Sequence, residues 1–445
     1  MGNRWKFRTG VMAMGILLSG APARAEQGLV DALTTGKFDL YLRLRYEFVD
    51  DKQNVPAPLE DANALTLRTA LGYNTGLFHK FGLYLQVEDV RALVERYNDG
   101  GTNGKTQFAT VVDPKDTEVQ QANIRYEGIP NTLFRLGRQD IEHRRAPLHR
   151  YVGNVLWRQI WQSFDAFRAT ASFLPDESTG ERQLKADYAY VWNVNRIFGE
   201  DNPLPDRSNF PMKSNFIKIN YDGFKWVKFE AYSYLLDFDH SVSAKFSTNT
   251  FGIRGEGNYA IGRHWKLLYT GEFANQMNAY NNPADININY YLGEFGASYK
   301  LSRKWLDTVT VKLSYEVLEG DGTVSGIGRA FQTPLGTNHA FQGWADRFLV
   351  TPGDGIEDAY VTLKMDGYGA TFMLVYHNFA SNHDDYDYGT EWDMVLEKPF
   401  LKHWLVGLKY AAYDASSDAL NQARNSVSGQ AFDLNKFWAY IQFNF

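Results

Sequence analysis

Residues 36–49 read GKFDLYLRLRYEFV, and this stretch decides which fold the sequence predicts. Its apolar and polar positions alternate with a period of two residues, which is typical of a β-strand. One side carries Phe38, Leu40, Leu42, Leu44, Tyr46 and Phe48. The other carries Asp39, Tyr41, Arg43, Arg45 and Glu47. A run of about 11 alternating residues is long enough for a tilted strand to cross a bilayer.

Eighteen such runs follow one another between residue 36 and residue 445, the shortest at 215–222. The connections between them alternate in length along the chain: short ones such as 76–80, 128–131 and 262–263 are separated by long ones such as 91–117, 141–162 and 319–354. A soluble sandwich has no reason to alternate in this way, whereas outer-membrane barrels have short periplasmic turns and long external loops. We therefore predict an all-β fold: one transmembrane antiparallel β-barrel of about 18 strands.

The composition agrees with a sheet that has one apolar and one hydrated surface. Aromatic residues make up 15 % of the 445 residues, yet the mean hydropathy is −0.41. The only long apolar run lies at the N-terminus, which excludes a bundle of membrane-spanning helices. The chain has no cysteine, so no disulfide contributes to its stability.

The first 25 residues have the pattern of a secretory signal peptide. Arg4, Lys6 and Arg8 precede a short apolar core, and Ala23-Arg24-Ala25 is a small-x-small cleavage site. We expect 1–25 to be removed, 26–35 to form a periplasmic lead-in, and 36–445 to form the barrel. Removal of four basic residues changes the net charge from −6 to −10, which argues against a nucleic-acid partner.

Tryptophans provide a separate indication of the membrane. Trp226, Trp265 and Trp404 lie beside short turns, and Trp305 lies within another. Such placement predicts an aromatic belt at the periplasmic interface, the alternative being ordinary core tryptophans. The last strand alternates up to Phe445. This pattern resembles the signal by which outer-membrane proteins are recognised, so we expect the outer-membrane assembly machinery and lipopolysaccharide as partners.

The alternation also predicts which basic side chains point into the lumen. These are Arg43, Arg45, Arg68, Arg125, Arg135, Arg168, Arg254 and Lys312. They could form a cationic track for an anionic solute, since charged strips set the selectivity of pores. Alternatively, they could brace the wall by pairing with inward carboxylates such as Glu47, Glu88 and Glu272.

The connection 141–162 is unusually basic and aromatic. It contains Arg144, Arg150, Trp157, Arg158 and Trp161. Three interpretations stay open: the loop folds into the lumen as a constriction, it covers the mouth of the barrel, or it is a solvated external loop.

Two blocks of sequence resemble the alginate-export family of outer-membrane porins. The first joins Leu136-Gly137-Arg138-Gln139 to Tyr151-Val152-Gly153-Asn154, Trp157-Arg158-Gln159 and Phe164-Asp165-Ala166, and the second is LGTNHAFQGWAD at 335–346. The resemblance implies a monomeric 18-stranded barrel that passes a polyanionic sugar chain outward. It also implies that Arg138 and Arg158 lie at or near the constriction. Family members without that function resemble general porins for small solutes.

We therefore expect a water-filled channel in the bacterial outer membrane, for an anionic saccharide or small anionic solute. A general small-solute uptake porin is the alternative. An outer-membrane rim hydrolase is a weaker alternative, and its best catalytic group is His377 with Asp384 or Asp385. We expect no enzymatic activity and no cofactor. The acidic segment 382–388 carries oxygen ligands that suit Ca²⁺, but its spacing favours a solvated loop.

Overall fold

The structure is a computed structural model that describes residues 28–54, 56–175, 180–204, 206–322, 328–425 and 430–445. The predicted signal peptide, 1–25, lies outside the described residues. The lead-in is described from Gly28 onward and contains a short helix, α1 (Leu29–Thr34). Among the described residues, no helix has both the length and the apolar character needed to cross a membrane.

Within the described residues, eighteen strands form one antiparallel sheet that closes on itself, because β1 pairs with both β2 and β18. The predicted fold class is confirmed. The strands are β1 (Lys37–Asp51), β2 (Ala62–Asn74), β3 (Phe81–Arg96), β4 (Asp116–Tyr126), β5 (Thr132–Gln139), β6 (Ser163–Pro175), β7 (Arg182–Asn195), β8 (Asn209–Tyr221), β9 (Val227–Leu236), β10 (Thr248–Ile261), β11 (Trp265–Asn278), β12 (Asn287–Arg303), β13 (Leu306–Leu318), β14 (Ile356–Gly367), β15 (Ala370–Ala380), β16 (Asp387–Phe400), β17 (Trp404–Ala415) and β18 (Leu434–Asn444). A second helix, α2 (Ala419–Asn425), lies between β17 and β18.

Closure of the sheet follows from the solvent that surrounds it. In hydrocarbon no water can pair with a free N–H or C=O group, so a spanning sheet must have no open edge. β1 and β18 supply the last contact, with Arg43 opposite Gln442 and Glu47 opposite Trp438.

The two surfaces of the sheet differ as the alternation predicts. In β1, Arg43, Arg45 and Glu47 are at most 5 % exposed and point inward. In β3, by contrast, Leu83 and Leu85 are about half exposed on the outer surface. The charged side chains therefore lie inside the barrel and the apolar ones outside, where lipid covers them.

Loop lengths alternate strictly between the two ends of the barrel. The connections at one end are 75–80, 127–131, 176–181, 222–226, 262–264, 304–305, 368–369 and 401–403. Those at the other end are 52–61, 97–115, 140–162, 196–208, 237–247, 279–286, 319–355, 381–386 and 416–433. Trp226, Trp265 and Trp305 lie at the short-turn end and are each at least half exposed, as a belt at the periplasmic interface requires.

The largest disagreement with the sequence concerns β8, which begins at Asn209 rather than near residue 215. Pairing between β7 and β8 shifts its register between Val191 and Asn193, and Pro211 lies opposite Asn193. A bulge of this kind changes which side chains point inward, and proline donates no hydrogen bond. Both features hide the first part of the strand from a search for strict alternation.

Candidate functional site

Two long loops fold into the barrel and join each other there. Val152 and Leu335 form a parallel bridge, and the backbone N–H of Gly153 donates to the carbonyl of Leu335 at 3.0 Å. The N–H of Thr337 donates to the carbonyl of His149 at 2.8 Å. We call residues 140–162 and 328–355 together the plug. Of the three interpretations of the first loop, the structure shows the one in which it enters the lumen.

Arginines of the plug pair with carboxylates that the barrel wall points inward. The pairs are Arg144–Glu230 (2.8 Å), Arg144–Glu272 (2.5 Å), Arg150–Glu316 and Arg158–Glu47 (3.5 Å). Their carboxylates belong to β9, β11, β13 and β1, so the plug spans the bore from wall to wall. All are largely shielded from water. Breaking such a buried pair on one side costs about 3–5 kcal/mol, because the other charge stays buried without a partner.

Arginines of the wall hold the plug from the opposite direction. Arg43 donates from Nε to the side-chain oxygen of Gln159 at 2.8 Å and from Nη1 to the carbonyl of Leu156 at 2.8 Å. Arg68 donates to the carbonyl of Gln159, and its guanidinium lies 3.8 Å from the ring centroid of Trp161. These two predicted lumen residues therefore point inward and contact the plug.

Arg45 is the third predicted arginine of this wall. It pairs with Asp113 at 2.5 Å and with Glu47 at 3.1 Å. Its guanidinium also lies 5.1 Å from the ring of Trp157, within the range of a cation–π contact.

A cluster of aromatic and charged side chains links the two halves of the plug to β17. The rings of Trp157 and His339 are parallel to within 4° at 4.5 Å. His339 Nε2 lies 2.6 Å from Lys409 Nζ, and that ammonium lies 3.9 Å from the ring of Trp344. Lys409 is 8 % exposed, so this amine is held by aromatic rings rather than by water.

Asp346 joins this cluster to the wall. It lies 2.6 Å from His339, 2.8 Å from Lys436 and 3.1 Å from Arg158. Burial acts to raise the pKa of Asp346, but His339, Lys436 and Arg158 together hold it well below its usual range. Asp346 is therefore negatively charged. Arg158 binds both this carboxylate and that of Glu47.

The histidines of the first loop contribute no positive charge at neutral pH. Burial lowers the pKa of His143 to about 3 and that of His149 to about 4. Both imidazole rings are therefore neutral at physiological pH.

A second group of arginines lies on the wall formed by β4, β5 and β6. Arg125 is opposite Arg135, which is in turn opposite Arg168, so three guanidiniums follow one another across the sheet. Arg168 binds both oxygens of Asp187 at 2.9 and 2.5 Å, and Arg125 binds Glu127 at 2.9 Å. Within the part of the chain that the structure describes, Arg135 has neither a hydrogen bond nor an ion pair.

The remaining inward cations are neutralised by neighbouring strands. Arg254 binds Glu272 at 2.8 Å, and Lys312 binds Glu294 at 2.8 Å. These pairs have the bracing geometry that the sequence offered as the alternative to solute contact.

Arg138 lies elsewhere. It lies two residues after Leu136, which is half exposed on the outer surface, and therefore on the same side of the strand. It binds Asp165 at 3.0 Å and Glu200 at 3.0 Å. The structure thus places Arg138 on the outer surface at the long-loop end, whereas the resemblance implied a position at or near the constriction. The residue before Arg138 has to be a glycine: Gly137 has φ +116°, and a Cβ there would lie 2.4 Å from the carbonyl oxygen of Ala122.

The histidine of the rival catalytic group has other partners. His377 Nδ1 lies 2.9 Å from Asp358, and Nε2 lies 3.5 Å from Asp393. Asp393 also accepts the backbone N–H of Trp344 at 3.0 Å. His377 is thus bound to wall carboxylates that hold the plug, rather than to Asp384 or Asp385. The described residues contain no group of three or more acidic or histidine side chains arranged to hold a metal ion.

The segment 335–346 was predicted only to carry the family resemblance, with no place in the site. The signal was present in its His339, Trp344 and Asp346, three residue types that are seldom grouped in a solvated loop. Their grouping depends on contacts with distant parts of the chain, such as that of His339 with Trp157, which is about 180 residues away.

A closed barrel with an apolar exterior, an aromatic belt at the short-turn end and a charged interior is a porin of the bacterial outer membrane. The chain belongs to the alginate export family, whose sequence profile matches residues 35–348. The resemblance noted from the two sequence blocks is confirmed. No curated protein matches the sequence.

Solved structures of outer-membrane porins share the fold. OccAB4 of Acinetobacter baumannii is 15 % identical, with a TM-score of 0.65 over 93 % of this chain and 99 % of that one. OccAB3 of the same organism is 13 % identical, with a TM-score of 0.64 over 93 % and 100 %. OpdQ of Pseudomonas aeruginosa is 13 % identical, with a TM-score of 0.63 over 93 % and 99 %. The predicted channel class and outer-membrane location are confirmed by these findings together with the family.

Proposed function

We propose that the channel carries an anionic saccharide or a small anionic solute, with an alginate-like polysaccharide as the family's own example. The observation that carries the proposal is Arg135, which lies between Arg125 and Arg168 and has no hydrogen bond or ion pair among the described residues. The two flanking arginines are each bound to a carboxylate, so Arg135 is the member of the row whose guanidinium is left to bind a solute.

Guanidinium chemistry suits this solute class. An arginine binds a carboxylate through two parallel hydrogen bonds and keeps its charge at any physiological pH. A row of arginines on one wall offers successive contacts to a chain of carboxylated sugars, and no energy source is needed because the solute moves down its gradient. The direction, export or uptake, follows from where the solute is made.

The plug crosses the bore, and we infer that passage of a solute requires it to move. Arg144, Arg150 and Arg158 bind wall carboxylates in the closed state. A solute carboxylate is the same chemical group, so it competes for these arginines as it approaches. We infer that an anionic solute weakens the closed state and that a neutral one does not.

The test is the reversal potential of single channels in a planar bilayer under a tenfold KCl gradient. We would compare a plug-trimmed protein with the same protein carrying Arg135→Met. One charge at about 4 Å is worth about 1 kcal/mol even at the dielectric constant of water. The chloride-to-potassium permeability ratio should therefore fall about fivefold.

Arg91→Met is the matched control, because Arg91 lies on the outer surface with its side chain 58 % exposed and already bound to Asp89. It should leave the permeability ratio unchanged. Equal ratios in the Arg135→Met, Arg91→Met and parent proteins would contradict the proposal.

A general small-solute porin is the second candidate, and the paired cations favour it. Arg254 with Glu272 and Lys312 with Glu294 are neutral in sum, and a lumen lined by such pairs selects by size. Swelling of liposomes distinguishes the two: an oligouronate should enter faster than a neutral oligosaccharide of equal length if the first proposal holds. Equal rates favour the general porin.

A further inference from the structure

The lead-in helix α1 (Leu29–Thr34) presents an apolar surface that no part of the described chain covers. The exposed fractions are 54 % for Leu29, 71 % for Val30 and 45 % for Leu33. At 100° per residue these three side chains fall within one arc of about 100°, and Asp31 lies on the opposite side of the helix. Six residues arranged in this way form a small amphipathic helix at the short-turn end of the barrel.

Tyr73 fixes this helix to the lipid side of the wall. Tyr73 lies two residues after Leu71 in β2 and on the same side of the strand, and Leu71 is 53 % exposed on the outer surface. Its hydroxyl donates to the carbonyl of Leu33 at 2.6 Å and accepts the backbone N–H of Gly36 at 3.1 Å. Its ring lies 4.5 Å from that of Phe38, which is 65 % exposed. The end of α1 therefore adjoins the surface that lipid covers.

Two further contacts set how the helix lies. The carbonyl of Ala32 accepts the N–H of Gly76 at 2.8 Å, and Ala32 is 2 % exposed. Gly36 must be a glycine here, because a Cβ would lie 2.4 Å from the Tyr73 hydroxyl oxygen. Ala32 thus rests on the turn between β2 and β3, and the neighbouring apolar arc is left outside.

We propose that α1 is an interfacial anchor whose Leu29, Val30 and Leu33 insert into the periplasmic leaflet of the outer membrane. The occupant of this surface is phospholipid, because Tyr73 ties the end of the helix to the lipid-covered surface that carries Phe38 and Leu71. A short helix with one apolar side lies in the plane of a membrane interface and buries that side at the boundary of the acyl chains. This anchor sets where the chain begins β1, the strand that closes the barrel.

The absence of cysteine in the sequence makes single-cysteine labelling direct. Val30→Cys and Asp31→Cys would each carry a bimane fluorophore in full-length protein, reconstituted in phosphatidylethanolamine–phosphatidylglycerol vesicles with nitroxide-labelled acyl chains. Leu71→Cys is the reference for contact with lipid. We expect quenching at position 30 within about twofold of position 71, and at least threefold weaker quenching at position 31.

Quenching at position 30 no stronger than at position 31, or quenching of both by aqueous iodide, would overturn the proposal. Disulfide-linked dimers of Val30→Cys would also overturn it, because they would make a second copy the occupant. Heat-modifiable migration on a gel reports folding, and Leu29→Cys, on the same apolar arc, replaces Val30→Cys if that variant fails to fold.

Tyr73→Phe tests the anchor itself. It removes both hydrogen bonds to the end of α1 while keeping the ring beside Phe38. The label at position 30 should lose at least half of its lipid quenching, and the label at position 71 should lose none. Unchanged quenching at position 30 would show that Tyr73 does not hold the helix.

Discussion

Replacing Arg150 by Met should open the channel, because it removes one side of a buried ion pair between the plug and the wall. Arg150 and Glu316 are each 1 % exposed, so Glu316 would keep its charge away from water. Loss of one partner of such a pair costs about 3–5 kcal/mol. Glu316 keeps two hydrogen bonds, from the hydroxyl of Tyr290 at 2.5 Å and from the side-chain amide of Gln342. The cost of losing Arg150 is therefore at the lower end of this range, about 3 kcal/mol. Since 1.4 kcal/mol corresponds to a factor of ten, the ratio of docked to undocked plug should fall about 100-fold.

Single-channel recording in planar bilayers measures this ratio as the fraction of time spent at the full conductance. Arg150→Met should raise that fraction strongly, and Arg91→Met, which breaks an exposed pair worth at most about 1 kcal/mol, should not. The double variant Arg150→Met, Glu316→Leu removes both charges and should restore much of the closed state. Open fractions equal in Arg150→Met and Arg91→Met would refute the reasoning, as would a double variant as open as the single one.

Three other outcomes are expected. Burial raises the pKa of Asp140 to about 6 and that of Glu142 to about 7. Both carboxyls are ionised at pH 8 and neutral at pH 5, so the reversal potential should shift towards anion preference on acidification, and Asp140→Asn with Glu142→Gln should make that shift smaller. Gly137→Ala forces a Cβ to 2.4 Å from a backbone oxygen at φ +116°, so the temperature of heat-modifiable unfolding should fall, whereas Gly271→Ala, with open space around its Cβ, should change it little. Trp157→Ala removes the ring stacked on His339 and should raise the open fraction, and Trp157→Phe should recover part of the closure.

The strands were predictable because lipid and water act on every residue of the wall in turn. A side chain in β1 is either outside in lipid or inside in the lumen, so the polarity of the residues from Phe38 to Phe48 follows their own environment. The prediction failed where that rule is interrupted, as at the bulge opposite Pro211 in β8. Inward direction was predictable in the same way for Arg43, Arg68 and Arg135, since they belong to regular strands.

Contacts across the bore were not predictable, because they join residues that lie far apart in the chain. Arg43 was expected inside the barrel, but its partner Gln159 follows from how a loop over 100 residues away folds back. The row of arginines differs for a local reason: Arg125 binds Glu127 two residues further on and Arg168 binds Asp187 of the neighbouring strand, whereas Arg135 has no ion pair among the described residues.

The amino-acid order alone was thus sufficient for the barrel and its location, because local alternation and loop length reflect the two solvents directly. Three features depended on packing in three dimensions: whether the bore is open or filled, which arginines bind the plug, and on which side Arg138 lies. Charge pairs such as Arg158 with Glu47 join residues that are far apart in the chain. The sequence shows which residues could pair, but not which of them lie within contact distance.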